Sequence, residues 1–364
     1  MKKLTLILTI SSLLILNGCS YRDIDKRFFV VAMGIDKSKV EHEKYKVSLK
    51  LSIPTAEVQP GKANSQIISQ DADSISEAIR VMESEVDKKF DFGHCRVLIF
   101  DEKLLRKKHQ VLFNWFFRRR DIQGIAYLAI GKPTAEKIIK IKAASERLPA
   151  NALVLAFDET TNTSPYITTE ILNDYFMRIM ENGIDPFLPI VEPGKETYKI
   201  DTAAVIKDKK VAADLGREET RMLNELLNRT KMGQISVSNK KESFFVNVES
   251  FNTKMKVYTP LNQRPFVNVN IKLKGFIEEA DRELNRKKEL QDYEKTASMV
   301  LEKRTVKFLI HLQKLGVDPY GLELKYQAKH GVSKDIQEAW TQIFKNLEFR
   351  VKVDMSIKGT GTMF

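Results

Sequence analysis

Tyr45, Val47, Leu49, Leu51 and Ile53 alternate with Lys46, Ser48, Lys50 and Ser52. A period of two describes a strand with one buried and one wet face. The apolar run Phe28 to Ile35 precedes it across the turn-like stretch Gly34 to Lys44, so the two are expected to pair as an antiparallel hairpin. The same alternation returns in Val267, Val269, Ile271 and Leu273 against Asn268, Asn270, Lys272 and Lys274, within a strand from Phe266 to Leu273. Leu347, Phe349, Val351, Val353, Met355 and Ile357 alternate with polar residues in a last long strand. Further strands are predicted at Arg96 to Phe100, Ile122 to Ile130, Ser243 to Glu249 and Lys254 to Tyr258, and a hairpin at Tyr198 to Ile206 and Lys210 to Ala213.

Between these lie helical periods. Ser74-Ile75-Ser76-Glu77 has capping-box spacing, and Ile75, Ala78, Ile79, Met82, Val86 and Phe90 continue at helical intervals, giving a helix from Ser74 to Lys89. Helices are also predicted from Glu102 to Phe117, from Pro133 to Ser145, from Thr168 to Asn182 with Gly183 as its stop, from Arg217 to Asn228 and from Ser333 to Asn346. Ile277 to Leu315 reads as one very long helix or as two with a break near Arg286. Strands and helices intermix in both halves, so the fold class is α+β: mixed, mainly antiparallel sheets with helices packed on one face, in two to three domains. The stretch Asp185 to Gly194 holds three prolines in ten residues, which disfavours helix and central strand alike. It predicts a linker over 185–195, between an N-terminal region at 28–184 and a C-terminal domain at 196–364.

The first residues follow a different pattern. Lys2 and Lys3 precede thirteen uncharged residues, Leu4 to Leu16, and the small Gly18 precedes Cys19. This is the layout of a secretory signal, and a helix of that length would reach only about 20 Å, short of a bilayer core of roughly 30 Å. Leu16-Asn17-Gly18-Cys19 resembles the bacterial lipobox. The resemblance implies that diacylglycerol alkylates the Cys19 thiol, that residues 1–18 are removed, and that a further acyl chain such as palmitate can be added at the new N-terminus. Residues 19–27 then form a polar tether. An ordinary cleaved signal and an uncleaved anchor are the alternatives. No later segment approaches eighteen uncharged apolar residues.

With 43% hydrophobic and 30% charged residues, the composition is that of a folded protein. The net charge of +12 is spread along the chain, with clusters at Arg118-Arg119-Arg120 and Arg286-Lys287-Lys288. No aromatic-flanked basic motif points to nucleic acid. Anionic lipid headgroups are the better match for an exported basic chain, although either cluster alone also reads as a solvated face. If lipid consumes Cys19, Cys95 has no partner for an intramolecular disulfide, and its position at the start of an apolar run marks it as a buried small hydrophobe.

Candidate chemistry is sparse. His42, His94, His109, His311 and His330 are scattered without metal-ligand spacing, so no metal and no cofactor is expected. His94 and Cys95 are adjacent, so on a strand they face opposite ways. Asp91-Phe92-Gly93 spells a kinase tripeptide with no Gly-rich phosphate loop or His-Arg-Asp to accompany it, and Gly359-Thr360-Gly361 has no following helix to receive a phosphate. The pairs Glu218-Glu219 and Glu278-Glu279 lie at polar helix starts, where negative charge is favourable without catalysis. Trp340 and Phe344 share a helical face and are expected in the core, with an exposed stripe as the rival reading. Trp115 and Phe116, beside Arg118, Arg119 and Arg120, form a candidate contact with a partner or membrane.

The order of these features carries a resemblance. The lipobox, the tether, an apolar strand ending Met33-Gly34-Ile35-Asp36, then Trp340-Thr341-Gln342-Ile343-Phe344 leading to Phe349-Arg350-Val351-Lys352-Val353 and Lys358-Gly359-Thr360-Gly361, resemble the Ger(x)C family, the C-subunit lipoproteins of spore germination nutrient receptors. Tyr21-Arg22-Asp23 departs from the Trp-Asp usual after the lipidated cysteine of that family. The resemblance implies a mixed α/β fold and a non-enzymatic subunit lipid-anchored on the outer face of the spore inner membrane. It implies integral membrane receptor subunits as partners, which bind most of the nutrient ligand. The alternative is a solute-binding lipoprotein delivering a small nutrient to a transporter. Such proteins carry mainly parallel, fully buried strands, whereas the strands at Tyr45, Phe266 and Leu347 each predict one wet face. A lipid-anchored hydrolase is disfavoured by the missing constellation.

Overall fold

A computed structural model describes residues 26–53, 64–158, 160, 164–230, 233–238, 243–281 and 287–359. Leu16, Asn17, Gly18 and Cys19 lie outside the described residues, as does most of the tether. The chain opens with β1 (Arg27–Lys37), β2 (Tyr45–Ser52) and β3 (Ser65–Ala72), then α1 (Ile75–Ser84), β4 (Lys89–Asp91) and β5 (Val97–Asp101). Next come α2 (Glu102–Leu105), α3 (Gln110–Arg118), β6 (Tyr127–Gly131), α4 (Ala135–Ile139), α5 (Asn151–Phe157) and α6 (Leu172–Met180). The strands β7 (Phe187–Pro193), β8 (Tyr198–Lys207) and β9 (Lys210–Leu215) complete a sheet ordered β3-β2-β1-β5-β6-β7-β8-β9, with β4 beside β1.

The predicted hairpin forms: β1 and β2 are antiparallel, with Met33 opposite Leu49 and Ile35 opposite Val47. The centre of the sheet, β1-β5-β6-β7, is parallel. One face, carrying Met33, Leu98 and Phe100, packs against Ala78, Phe113 and Tyr175 of α1, α3 and α6. The opposite face, carrying Ala32, Val97 and Ile99, packs against Ala135, Ile138, Leu153 and Phe157 of α4 and α5. Helices therefore cover both faces here, as parallel strands require. The wet face predicted for β2 is a correction: Ser48 is 0% and Lys50 1% exposed. Ser48 bonds to Ser69 of β3 (2.8 Å), and the segment joining α4 to α5 meets Lys50. Lys50 Nζ donates to the Ile141 carbonyl (3.1 Å) and lies 3.6 Å from the Glu146 carboxylate.

The linker predicted at 185–195 is a second correction, because β7 lies inside the sheet with Phe187, Leu188 and Val191 fully buried. Its pairing with β6 is confined to Ile190 and Val191, and its register with β8 shifts between Ile190 and Glu192. A ladder that is interrupted in this way tolerates prolines, whose missing N–H costs little where no bond is made. The helix predicted over Glu102 to Phe117 breaks into α2 and α3, with His109 buried at the break.

The second half continues with α7 (Arg217–Leu226), β10 (Gly233–Ser238), β11 (Ser243–Tyr258) and β12 (Phe266–Ala280). It ends with α8 (Lys287–Leu315), α9 (Leu322–His330), α10 (Lys334–Lys345) and β13 (Glu348–Ile357). The two strands predicted between Ser243 and Tyr258 are one strand whose register against β12 shifts twice. Residues 277–280, predicted as helix, extend β12 instead. The sheet runs β10-β11-β12-β13, antiparallel except for the parallel β12–β13 pair. Here the alternation reads correctly. Val267, Val269, Ile271, Leu273 and Met355 face Tyr293, Ala297, Leu301 and Leu312 of α8, while Lys272, Lys274 and Lys352 stay exposed. Trp340 joins this core, with Phe344 packed beside it. The same apolar cluster includes Phe187, Ala203 and Val205 of the first sheet, so α7 and the second sheet share its core.

Candidate functional site

Groups able to do covalent or acid–base work are largely committed to the fold. Cys95 is buried, and its desolvation pushes the thiol up to about 12, which leaves almost no thiolate. His109 is 3% exposed; its Nε2 lies 2.7 Å from the Tyr175 hydroxyl and its Nδ1 3.2 Å from the Lys107 carbonyl. Burial lowers its pKa to about 4, so the ring is neutral at physiological pH. Asp36 is buried against the start of α4, where its carboxylate accepts the Ala135 and Glu136 N–H groups (2.7 and 2.8 Å). Burial outweighs these bonds and raises its pKa to about 6. Glu219 accepts from the Gly216 N–H at the start of α7 and meets His311 Nδ1 at 2.6 Å, the helix-start role predicted from its position. Among the described residues no group of three or more His, Cys, Asp or Glu side chains is placed to hold a metal ion.

The aromatic and arginine contact predicted on α3 is partly closed within the chain. Phe116 is 1% exposed and packs on Phe100, so its assignment to a partner surface is corrected to core. Trp115 is half-buried and its Nε1–H donates to Ser76 Oγ (2.8 Å). The Arg119 guanidinium covers the rings of Phe92 and Trp115 at 4.7 and 4.8 Å and pairs with Asp121. Only Arg118 and Arg120 remain fully exposed in this group.

A polar junction that sequence reasoning missed joins the two halves. The Glu170 carboxylate is fully buried and pairs with Arg178 and Arg229 at 3.1 Å each, and both guanidinium groups lie over Phe187. Burial raises the Glu170 pKa to about 6, and the two arginines oppose that rise. Nearby, the Asp185 N–H donates to the Asp318 carbonyl (2.8 Å), and the Asp318 N–H returns to the Asp185 carboxylate (2.7 Å). Lys207 completes this group with an ion pair to Asp185 at 3.0 Å. Partners separated by 133 residues leave no local signal from which this could be read.

The second sheet supplies the broadest charged surface. Across its open face the register sets Lys254 and Lys352 on either side of Asn270, Lys256 and Arg350 on either side of Asn268, and Lys272 beside Asp354. Lys254, Lys256, Lys272, Lys274, Arg350 and Lys352 are all exposed. The wet phase of the sequence alternation thus becomes one flat basic face. No helix among the described residues is long and apolar enough to cross a membrane.

The family model described as "Spore germination protein N-terminal domain" matches residues 20–193, and that described as "Spore germination B3/ GerAC like, C-terminal" matches residues 201–361. The chain is 24% identical over 309 residues to the spore germination protein GerQC of Bacillus cereus, covering 83% of this chain and 84% of that one. It is 21% identical over 393 aligned positions to the spore germination protein KC of Bacillus subtilis (strain 168), covering 99% and 96%. The fold matches the crystal structure of the GerBC protein with a TM-score of 0.59 at 20% identity, over 90% of this chain and 96% of that one. With both halves matched in order and the fold shared along almost its whole length, the chain belongs to the Ger(x)C family of spore germination proteins.

Proposed function

We propose that this protein is a lipid-anchored, non-catalytic subunit of a nutrient germinant receptor, held on the outer face of the spore inner membrane and assembled with integral membrane subunits. The observation that carries the reading is the pair of family matches, the first of which starts at residue 20, directly after Cys19. Diacylglycerol on Cys19, with or without an N-acyl chain, supplies two or more acyl chains, enough for stable anchoring where one is marginal. Tethering raises the effective concentration for membrane subunits even where intrinsic contacts are weak. The flat basic face of the second sheet fits beside anionic headgroups, where each nearby Lys or Arg adds roughly 1 kcal/mol. Nutrient recognition then lies mainly with the partner subunits, and this chain positions or couples them.

Substituting Cys19→Ala is expected to leave a folded protein that is lost from the membrane fraction, with nutrient-triggered germination strongly impaired. Normal membrane retention together with normal germination would sink the proposal.

A further inference from the structure

The last strand leaves part of its edge open, and the opening coincides with a groove lined by α8 and β13. β13 bonds to β12 through its even-numbered residues: the Glu348 N–H donates to the Pro265 carbonyl (2.9 Å) and the Lys358 N–H to the Gly275 carbonyl (2.8 Å). The odd-numbered amides therefore point away from the sheet. Two of them are already occupied. Glu302 Oε1 of α8 accepts from Val353 (3.0 Å) and Glu294 Oε1 accepts from Ile357 (2.7 Å), so two carboxylates two helical turns apart mask the second half of the edge. Toward the start of the strand, the Phe349 and Val351 N–H groups meet no acceptor among the described residues.

Beside those two amides lies a groove of about 820 Å³ between α8 and β13. Val306, Ile310 and Val351 give it an apolar floor, and Ile310 is 37% exposed. Lys303, Lys307 and Lys314 of α8 ring it, while its one acidic side chain, Glu302, is engaged with Val353. From Lys303 to Lys314 the helix rises about 16 Å, the length of about five extended residues. Free amides at every second residue match the carbonyl spacing of a strand, and the cations select acidic side chains on it.

We propose that this groove receives an extended acidic segment of a partner protein, added to β13 as a further strand. A second copy of this chain suits it poorly, because antiparallel pairing of two β13 edges would set Arg350 and Lys352 of one copy beside the same cations of the other. The proposal does not depend on lipid anchoring, so the two can fail separately.

The test is fluorescence anisotropy of the full chain in mild detergent, titrated with a labelled hexapeptide of alternating Glu and Val and with its Lys/Val counterpart. The Glu/Val peptide is expected to bind saturably and the Lys/Val peptide not to bind. Val351→Pro removes one outward N–H without touching a bond to β12, and should weaken binding at least tenfold. The double variant Lys303→Glu/Lys307→Glu, at exposed positions of α8, should do the same, and it decides the matter if the proline variant misfolds. Lys272→Glu, on the opposite face of the sheet, should change nothing. Equal binding of the two peptides, no saturable binding, or undiminished binding by the folded variants would overturn the proposal. So would a concentration-dependent dimer that Val351→Pro abolishes, which would give the edge to a second copy.

Discussion

Lys50 sits in the polar phase of an alternating strand, yet it is buried with its ammonium beside Glu146. Burial lowers the Lys50 pKa and raises that of Glu146, each opposed by the partner's charge. Lys50→Met would leave the Glu146 carboxylate buried without its cation, an effect of about 3–5 kcal/mol. The double variant Lys50→Met/Glu146→Leu should recover most of that loss in urea unfolding, because buried ion pairs replaced as a unit cost little. A double variant as unstable as the single one would contradict this coupling. His109 gives a pH dependence of definite sign. Its pKa falls from 6.5 to about 4 on burial, so its contribution to stability is whole above 6.5 and is lost as pH falls toward 4. His109→Gln should flatten the stability profile between those limits; an unchanged slope would show that the ring titrates freely in the folded chain. Cys95 was legible from its neighbours, since a thiol opening an apolar run reads as core. Lys50 was not, because alternation reports polarity and cannot say what covers a strand.

Among the elements, β12 and β13 were the easiest to read. Among the described residues only one face of their sheet is covered, so side-chain polarity maps directly onto burial. β7 was the hardest: Pro189 and Pro193 argue against a central strand, and only the register shift and sparse pairing with β6 make room for them. The union of two predicted strands in β11 has a physical trace at Gly275. Its partner strand shifts register between Val248 and Ser250, bringing the Asn247 carbonyl to 2.1 Å from where a Cβ on residue 275 would stand. Gly275→Ala should therefore destabilise the protein by about 1–3 kcal/mol, through displacement of the β11 backbone. A melting temperature equal to that of the parent chain would show that the strands can separate without cost.

For the whole molecule, the first family match ends with β7 and the second begins inside β8, and these two strands are antiparallel neighbours in one sheet. The halves are thus joined by strand pairing, by a shared apolar cluster and by the Glu170–Arg178–Arg229 and Asp185–Asp318 contacts. A proline count could not reveal this, because long-range pairing decides it. The candidate sites divide in the same way. Cys19 belongs to a local motif, so its proposal rests on the sequence alone; the basic face required the register of three strands, and the groove beside β13 required both a strand edge and the helix next to it. Phe116 misled because aromatic residues beside arginines suit interfaces and self-contained stacks equally well.

A chain that works as part of a membrane receptor complex should be recovered together with the other subunits. Affinity purification of the tagged full chain from detergent-solubilised spore membranes tests it most directly. Integral membrane receptor subunits are expected to co-purify in stoichiometric amounts and to be lost with the Cys19→Ala variant. Recovery of the chain alone from membranes that retain those subunits would contradict it.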